Sequence, residues 1–184
     1  YPNTQELYSI TWYDDARTKE KEVKGDNYQK TYTYDIQDRL ISRKDSFQDG
    51  EHQSESTEEH SYSGLTRYSI YISNKGTGYE VTTYDTTTYV DNTFSQVKEF
   101  RSTQKNAAGK ILSKAYSKYE YGPYGVIKGE NLSEAYNYGG EPYETHYDII
   151  INTWSDDLNR TWSRAVYKNG ILEAKLEGYS KYTY

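Results

Sequence analysis

The chain of 184 residues contains no cysteine and no methionine. Without cysteine there is no disulfide framework and no Cys-based zinc site, and the redox compartment is not legible from thiol usage. Leu, Ile, Val and Phe are scarce: residues of hydrophobic type make up 34% of the sequence, and 24 of them are Tyr. No apolar run approaches the roughly 20 residues that a membrane helix requires, so no membrane span is expected within this chain. Basic charge is also in deficit, 22 Lys and Arg against 28 Asp and Glu, with a sequence pI near 5.2. A phosphate backbone is held by a concentrated basic surface, so a nucleic-acid partner is not expected. The sequence starts Tyr1-Pro2 rather than with Met. That start fits the mature part of a longer precursor whose export signal has been removed, giving the expectation of a secreted, periplasmic or outer-surface protein, with any lipid anchor upstream.

Low hydrophobicity with abundant charge is ordinarily the composition of a disordered chain. The tyrosines reverse that reading, because each buries a large ring while its hydroxyl stays wet or finds a partner. Such residues suit a half-wet sheet face over a thin core. One domain spanning 1–184 is expected, since nothing in the composition divides the chain.

Period-two alternation dominates. Tyr28, Tyr32 and Tyr34 share one parity, as do Tyr68, Ile70 and Ile72, then Tyr79, Val81 and Thr83, then Tyr143, Thr145, Tyr147, Ile149 and Ile151, and finally Tyr179, Lys181 and Thr183. Aromatic and β-branched residues alternating with polar ones predict half-buried antiparallel strands. The best helical candidate, Ile171 to Glu177, follows an Asn169-Gly170 turn and is assigned to a hairpin arm. Turn residues recur at even intervals, among them Asp14-Asp15, Gly25 to Asn27, Asp49-Gly50, Ser63-Gly64, Asn74 to Gly78, Asp91-Asn92 and Gly139-Gly140. The predicted fold is all-β, an up-and-down antiparallel meander of about ten or more hairpin-linked strands forming an extended or curled Tyr-rich sheet. The stretch Glu51 to Glu59, poor in β formers, is expected to be a solvated edge or a frayed arm.

Four turns share a template of a polar residue, two free positions and a residue suited to the left-handed conformation, then a variable residue and a hydrophobic or β-branched one. They are Asp35-Ile36-Gln37-Asp38, Asn106-Ala107-Ala108-Gly109, Gly122-Pro123-Tyr124-Gly125 and Asp156-Asp157-Leu158-Asn159. Each is expected to be a three-residue hairpin loop followed by a bulge. The segment Tyr32-Thr33-Tyr34-Asp35-Ile36-Gln37-Asp38-Arg39-Leu40-Ile41-Ser42 resembles the tyrosine-aspartate (YD) repeat of Rhs-type bacterial surface proteins, and Tyr119 to Ile127 is a weaker copy. The resemblance implies β-hairpin repeats in an exported protein, like the short exported proteins of Gram-negative gut bacteria. Asp38 stands where the repeat has Gly, and Gly122 where it has Asp. The repeat carries no catalytic residue.

No catalytic, metal or cofactor constellation is expected. His52, His60 and His146 are not spaced to place two on one face near a carboxylate, and are expected at the surface. Asp14-Asp15, Glu58-Glu59 and Asp156-Asp157 are adjacent acids, whereas a glycosidase needs two carboxylates about 5 to 9 Å apart across a cleft. No Gly-x-Ser-x-Gly elbow or calcium-loop register is present. The functional hint is aromatic. A loop of Asp157-Leu158-Asn159 would set Asp156 opposite Arg160 and Trp154 opposite Trp162. With Tyr147 and Tyr167 these form a candidate platform for stacking on a glycan or a protein segment. The readings are a non-enzymatic exported module binding glycan or protein, a structural repeat packing on its precursor or another copy, and a hydrolase on a β scaffold.

Overall fold

With alternation everywhere and turn residues at its breaks, the chain has one way to pair its backbone amides: each strand with the next. The computed structural model describes residues 7–12, 19–24, 27–50, 52–137, 141–155 and 159–181. The strands are β1 (Leu7–Trp12), β2 (Lys19–Lys24), β3 (Tyr28–Tyr34), β4 (Leu40–Asp49), β5 (His52–Ser63), β6 (Thr66–Ser73) and β7 (Val81–Tyr89). They continue with β8 (Val97–Asn106), β9 (Ile111–Gly122), β10 (Gly125–Tyr136), β11 (Pro142–Trp154), β12 (Asn159–Lys168) and β13 (Ile171–Lys181). All thirteen form one antiparallel sheet in chain order, with no helix among the described residues. Ile171 to Glu177 is a strand, as its turn implies. Each strand contacts only its sequence neighbours, so the sheet is neither closed nor covered by a second layer among the described residues.

Both faces are therefore wet, and the thin core is thinner than a sandwich would supply. Among the described residues, Tyr89 is the one buried hydrophobic side chain. Cross-strand pairs, each worth about 0.2 to 1 kcal/mol, carry much of the stability in such a sheet. Following the register from strand to strand sorts the side chains into two faces. The buried Ser69, Thr87, Tyr89 and Asn152 all lie on one face, termed the Tyr89 face. The other, the Tyr147 face, leaves Tyr68, Ile70 and Tyr84 exposed.

Turn chemistry acts as the residues imply. At Asp35, the amide donates to the Arg39 carbonyl and the Asp38 amide to the Asp35 carbonyl, with Asp38 at φ 59°. Asp38 thus takes the left-handed position expected at the end of this loop. Asn106 to Lys110 repeats this geometry with Gly109 at φ 77°. Asn169-Gly170 is a two-residue turn with both residues at positive φ. Gly122 differs from expectation: it pairs directly with Gly125, so its loop is two residues, and the bulge follows at Val126. The turns at Asp14-Asp15, Gly139-Gly140 and Asp156 to Leu158, part of Gly25 to Asn27, and the His52 side chain lie outside the described residues.

Glu51 to Glu59 is corrected: from His52 onward it belongs to β5, a twelve-residue interior strand between β4 and β6. A two-sided wet sheet accepts its Ser and Glu residues, and Glu55 is held by Lys44 at 2.8 Å and Lys75 at 3.6 Å.

A recurring device explains part of the Tyr usage. Bulges follow Leu40, Val97 and Val126, the first or second residues of β4, β8 and β10. A bulge disrupts the ladder and leaves backbone groups unpaired. In each case an aromatic at the end of the next strand answers it. Tyr62 donates to the Leu40 carbonyl at 3.0 Å, Tyr121 to Val97 at 2.8 Å and Trp154 Nε1 to Val126 at 3.0 Å.

Candidate functional site

The expected Trp pair does not form. Trp154 pairs with Arg160, and Trp162 with Asn152. The two indoles share the Tyr89 face but sit diagonally, one cross-strand pair out of the predicted register. The cause is Asn159, which was expected to close the loop in the left-handed conformation. It is instead the first residue of β12, extended, and its carbonyl accepts from the Ser155 amide at 3.1 Å. Asp156, predicted opposite Arg160, lies outside the described residues; Arg160 pairs with Trp154.

The indoles also lean apart. Trp154 crosses to β10, where a Cβ on Gly125 would lie 3.4 Å from its ring. Trp162 covers Gly178 on β13, where a Cβ would come within 2.5 Å of its ring. Each Trp is thus seated on a glycine of a different strand. A Trp154→Ala, Trp162→Ala double-mutant cycle is expected to be additive within about 0.5 kcal/mol, as for separated sites; chemical denaturation of the four proteins measures it. Tyr147 and Tyr167 do pair directly, ring centroids 6.1 Å apart and tilted by 36°, but on the opposite face from the two Trp residues. The four aromatics therefore form no single platform.

A different set of aromatics gathers on the Tyr89 face. The loop from Val90 to Gln96 is closed by the Val90 amide donating to the Gln96 carbonyl at 2.9 Å. Within it, Asp91 Oδ1 accepts from the Thr93 amide at 2.9 Å and the Thr93 hydroxyl at 2.6 Å, and these bonds hold the Asp91 carboxyl below its ordinary pKa. The loop turns Phe94 back over the sheet at φ 53°, a left-handed conformation that costs a bulky residue on the order of 1 kcal/mol. That cost is offset by ring contacts. Phe94 meets Tyr89 edge-on at 5.0 Å and Tyr62 at 5.9 Å.

Two arginines complete the wall. Arg39 lies 4.2 Å from the Tyr62 ring, fixed by its 2.7 Å bond to Asp35. Burial pushes the Asp35 carboxyl up, but bonds from Arg39 and from the Gln37 amide outweigh it and hold the group below its ordinary value. The aspartate of the Tyr-x-Tyr-Asp segment thus builds the turn and aims Arg39. Arg67 lies 6.0 Å from the Tyr89 ring. Its Nε is enclosed and has no hydrogen-bond partner among the described residues. Together with Gln37, Asn92 and Thr93 these groups line a cavity of about 580 Å³. That lies within the 300 to 1,000 Å³ range of small-ligand sites.

Sequence reasoning passed over this site. Its one local signal is Phe94, a large apolar residue placed among Asp91, Asn92, Thr93 and Ser95 in a turn. The rest is brought together from four separate turns and strands by the meander.

Beside the pocket, on the same face, the expected surface placement of the histidines fails for His60, whose side chain is 4% exposed. It opposes Ser69 on β6, which opposes Asp85 on β7. Nδ1 lies 2.7 Å from Ser69 Oγ and Nε2 3.3 Å from Glu58 Oε1. Glu58 and His60 share a face because they are two residues apart on one strand, a relation that attention to the adjacent Glu59 obscured. Burial is the largest influence and, with Arg67, lowers the imidazole pKa from 6.5, while Glu58 and Asp85 oppose it. The unfolded chain therefore takes up a proton near pH 6.5 before the folded one does, and stability present above that value declines as pH falls toward the folded pKa. The unfolding midpoint is expected to drop between about pH 7 and pH 5, and His60→Gln to flatten that slope in thermal melts. His146 is partly exposed and bonded to Glu144 at 2.6 Å.

No family model and no curated protein sequence matches this chain.

Proposed function

We infer that the protein is a non-enzymatic, exported cell-envelope module that binds a glycan or a protein segment through one face of its sheet. The single observation behind this reading is the Tyr62, Tyr89 and Phe94 cluster, which holds a strained loop residue against the sheet to wall a pocket with two arginines. Strain retained at a surface loop is characteristic of ligand sites. The export part of the reading rests on the Tyr32 to Ser42 resemblance.

The reading without catalysis is supported by the placement of the nearest reactive group. Ser69 bonds to His60, yet it lies mid-strand between β5 and β7, where backbone amides are engaged in the ladders. An acyl-transfer site needs free donors for an oxyanion, which this position lacks. A second reading, a structural repeat packing on another copy, is favoured by Tyr68, Ile70 and Tyr84, which are 47%, 40% and 44% exposed together on the Tyr147 face. Sedimentation of wild type and Tyr68→Ser/Ile70→Ser examines it.

A glycan and peptide array probed with wild-type chain and with Phe94→Ala tests the binding reading. Wild type is expected to retain a discrete set of ligands that Phe94→Ala loses while its circular dichroism is unchanged. Identical arrays for the two proteins would reject the pocket as the binding site.

A further inference from the structure

We propose that the pocket takes a carboxylate-bearing sugar ring, an acidic residue of a glycan such as a uronate; this rests on the binding reading above and names its ligand class.

Three chemistries meet in the cavity. Tyr62, Tyr89 and Phe94 supply apolar ring surface, against which the C–H face of a pyranose packs. Gln37, Asn92 and Thr93 supply amide and hydroxyl groups at the wall, matching a hydroxylated ring better than a purely aromatic one. Arg67 supplies charge. Unlike Arg39, whose guanidinium is taken up by Asp35, Arg67 has no ion pair among the described residues, and Asp85 on the adjoining strand forms none with it. A half-buried guanidinium whose enclosed Nε has no partner is costly, and its planar fork matches a carboxylate. Protein of net charge −6 places this positive group in an aromatic cavity, where a neutral sugar leaves it unanswered.

The test is titration of the full chain by heteronuclear NMR with sodium D-glucuronate, D-glucose and sodium benzoate at low ionic strength. Glucuronate is expected to bind at least tenfold more tightly than glucose. Arg67→Gln should reduce glucuronate to the level of glucose, and Phe94→Ala should weaken both. Arg67→Lys, which keeps charge but loses the fork, should fall between; circular dichroism confirms the fold of each variant. Equal binding of glucuronate and glucose would overturn the acidic class while leaving the glycan reading. Benzoate binding as tight as glucuronate would overturn the sugar ring. Binding of none of the three probes, with an array showing only neutral or peptide ligands, would overturn the proposal and keep the module; an empty array would remove both.

Discussion

Gly178→Val is expected to destabilise the C-terminal hairpin more than any other substitution on β13. The Trp162 ring lies where the first side-chain carbon would go, 2.5 Å from Cζ2 and 2.6 Å from Cε2. The indole is rigid, so relief requires either lifting the ring off the sheet or parting β12 from β13. Overpacking of this kind costs about 1 to 3 kcal/mol. In a protein of this size that lowers the melting temperature by about 2 to 12 °C. Because β13 pairs only with β12 among the described residues, hydrogen exchange should quicken first in the Thr161 to Lys168 ladder. An unchanged melting temperature with unchanged exchange would mean that Trp162 does not rest on Gly178.

Asn152 carries the second large effect. It is 6% exposed and its Nδ2 donates to the Val126 carbonyl at 2.8 Å, alongside Trp154 Nε1. Arg160 reaches its Oδ1 at 3.5 Å. Asn152→Ala removes one of two donors at the β10 bulge and withdraws an acceptor from Arg160, an expected loss of about 1 to 3 kcal/mol in denaturant unfolding. Asn152→Asp is isosteric but sets an acceptor against the carbonyl. Its penalty should grow as pH rises above about 4, where the new carboxyl ionises. If Asp is tolerated as well as Asn at neutral pH, the bond to Val126 is not the one that matters.

How far these features were legible in the sequence depends on the range of the forces behind them. Hairpins were readable because turn geometry is local: Asp38, Gly109 and Asn169-Gly170 adopt the positive φ that their chemistry allows. The meander follows, since neighbouring arms pair. Register was less readable. Asn159 can enter the left-handed region, but extending it lets β12 start earlier and pair Asn159 with Lys181, and the Trp pairing moved with it. β5 looked like an edge because Ser and Glu are poor formers of a half-buried strand, a standard that a two-sided wet sheet does not impose. The pocket was illegible for a different reason. Phe94, Tyr62, Tyr89, Arg39 and Arg67 are up to 55 positions apart, and only the sheet's strand order brings one end of β4 to β8 together.

Aromatic NMR of chain labelled at Tyr and Phe, titrated with sodium D-glucuronate, reads out which face of the sheet meets the sugar. Shifts are expected at Tyr62, Tyr89 and Phe94, with Tyr68, Tyr84, Tyr147 and Tyr167 on the other face unmoved. Shifts confined to those four, with the three pocket rings silent, would place recognition on the wrong side of the sheet and contradict the pocket as the binding site.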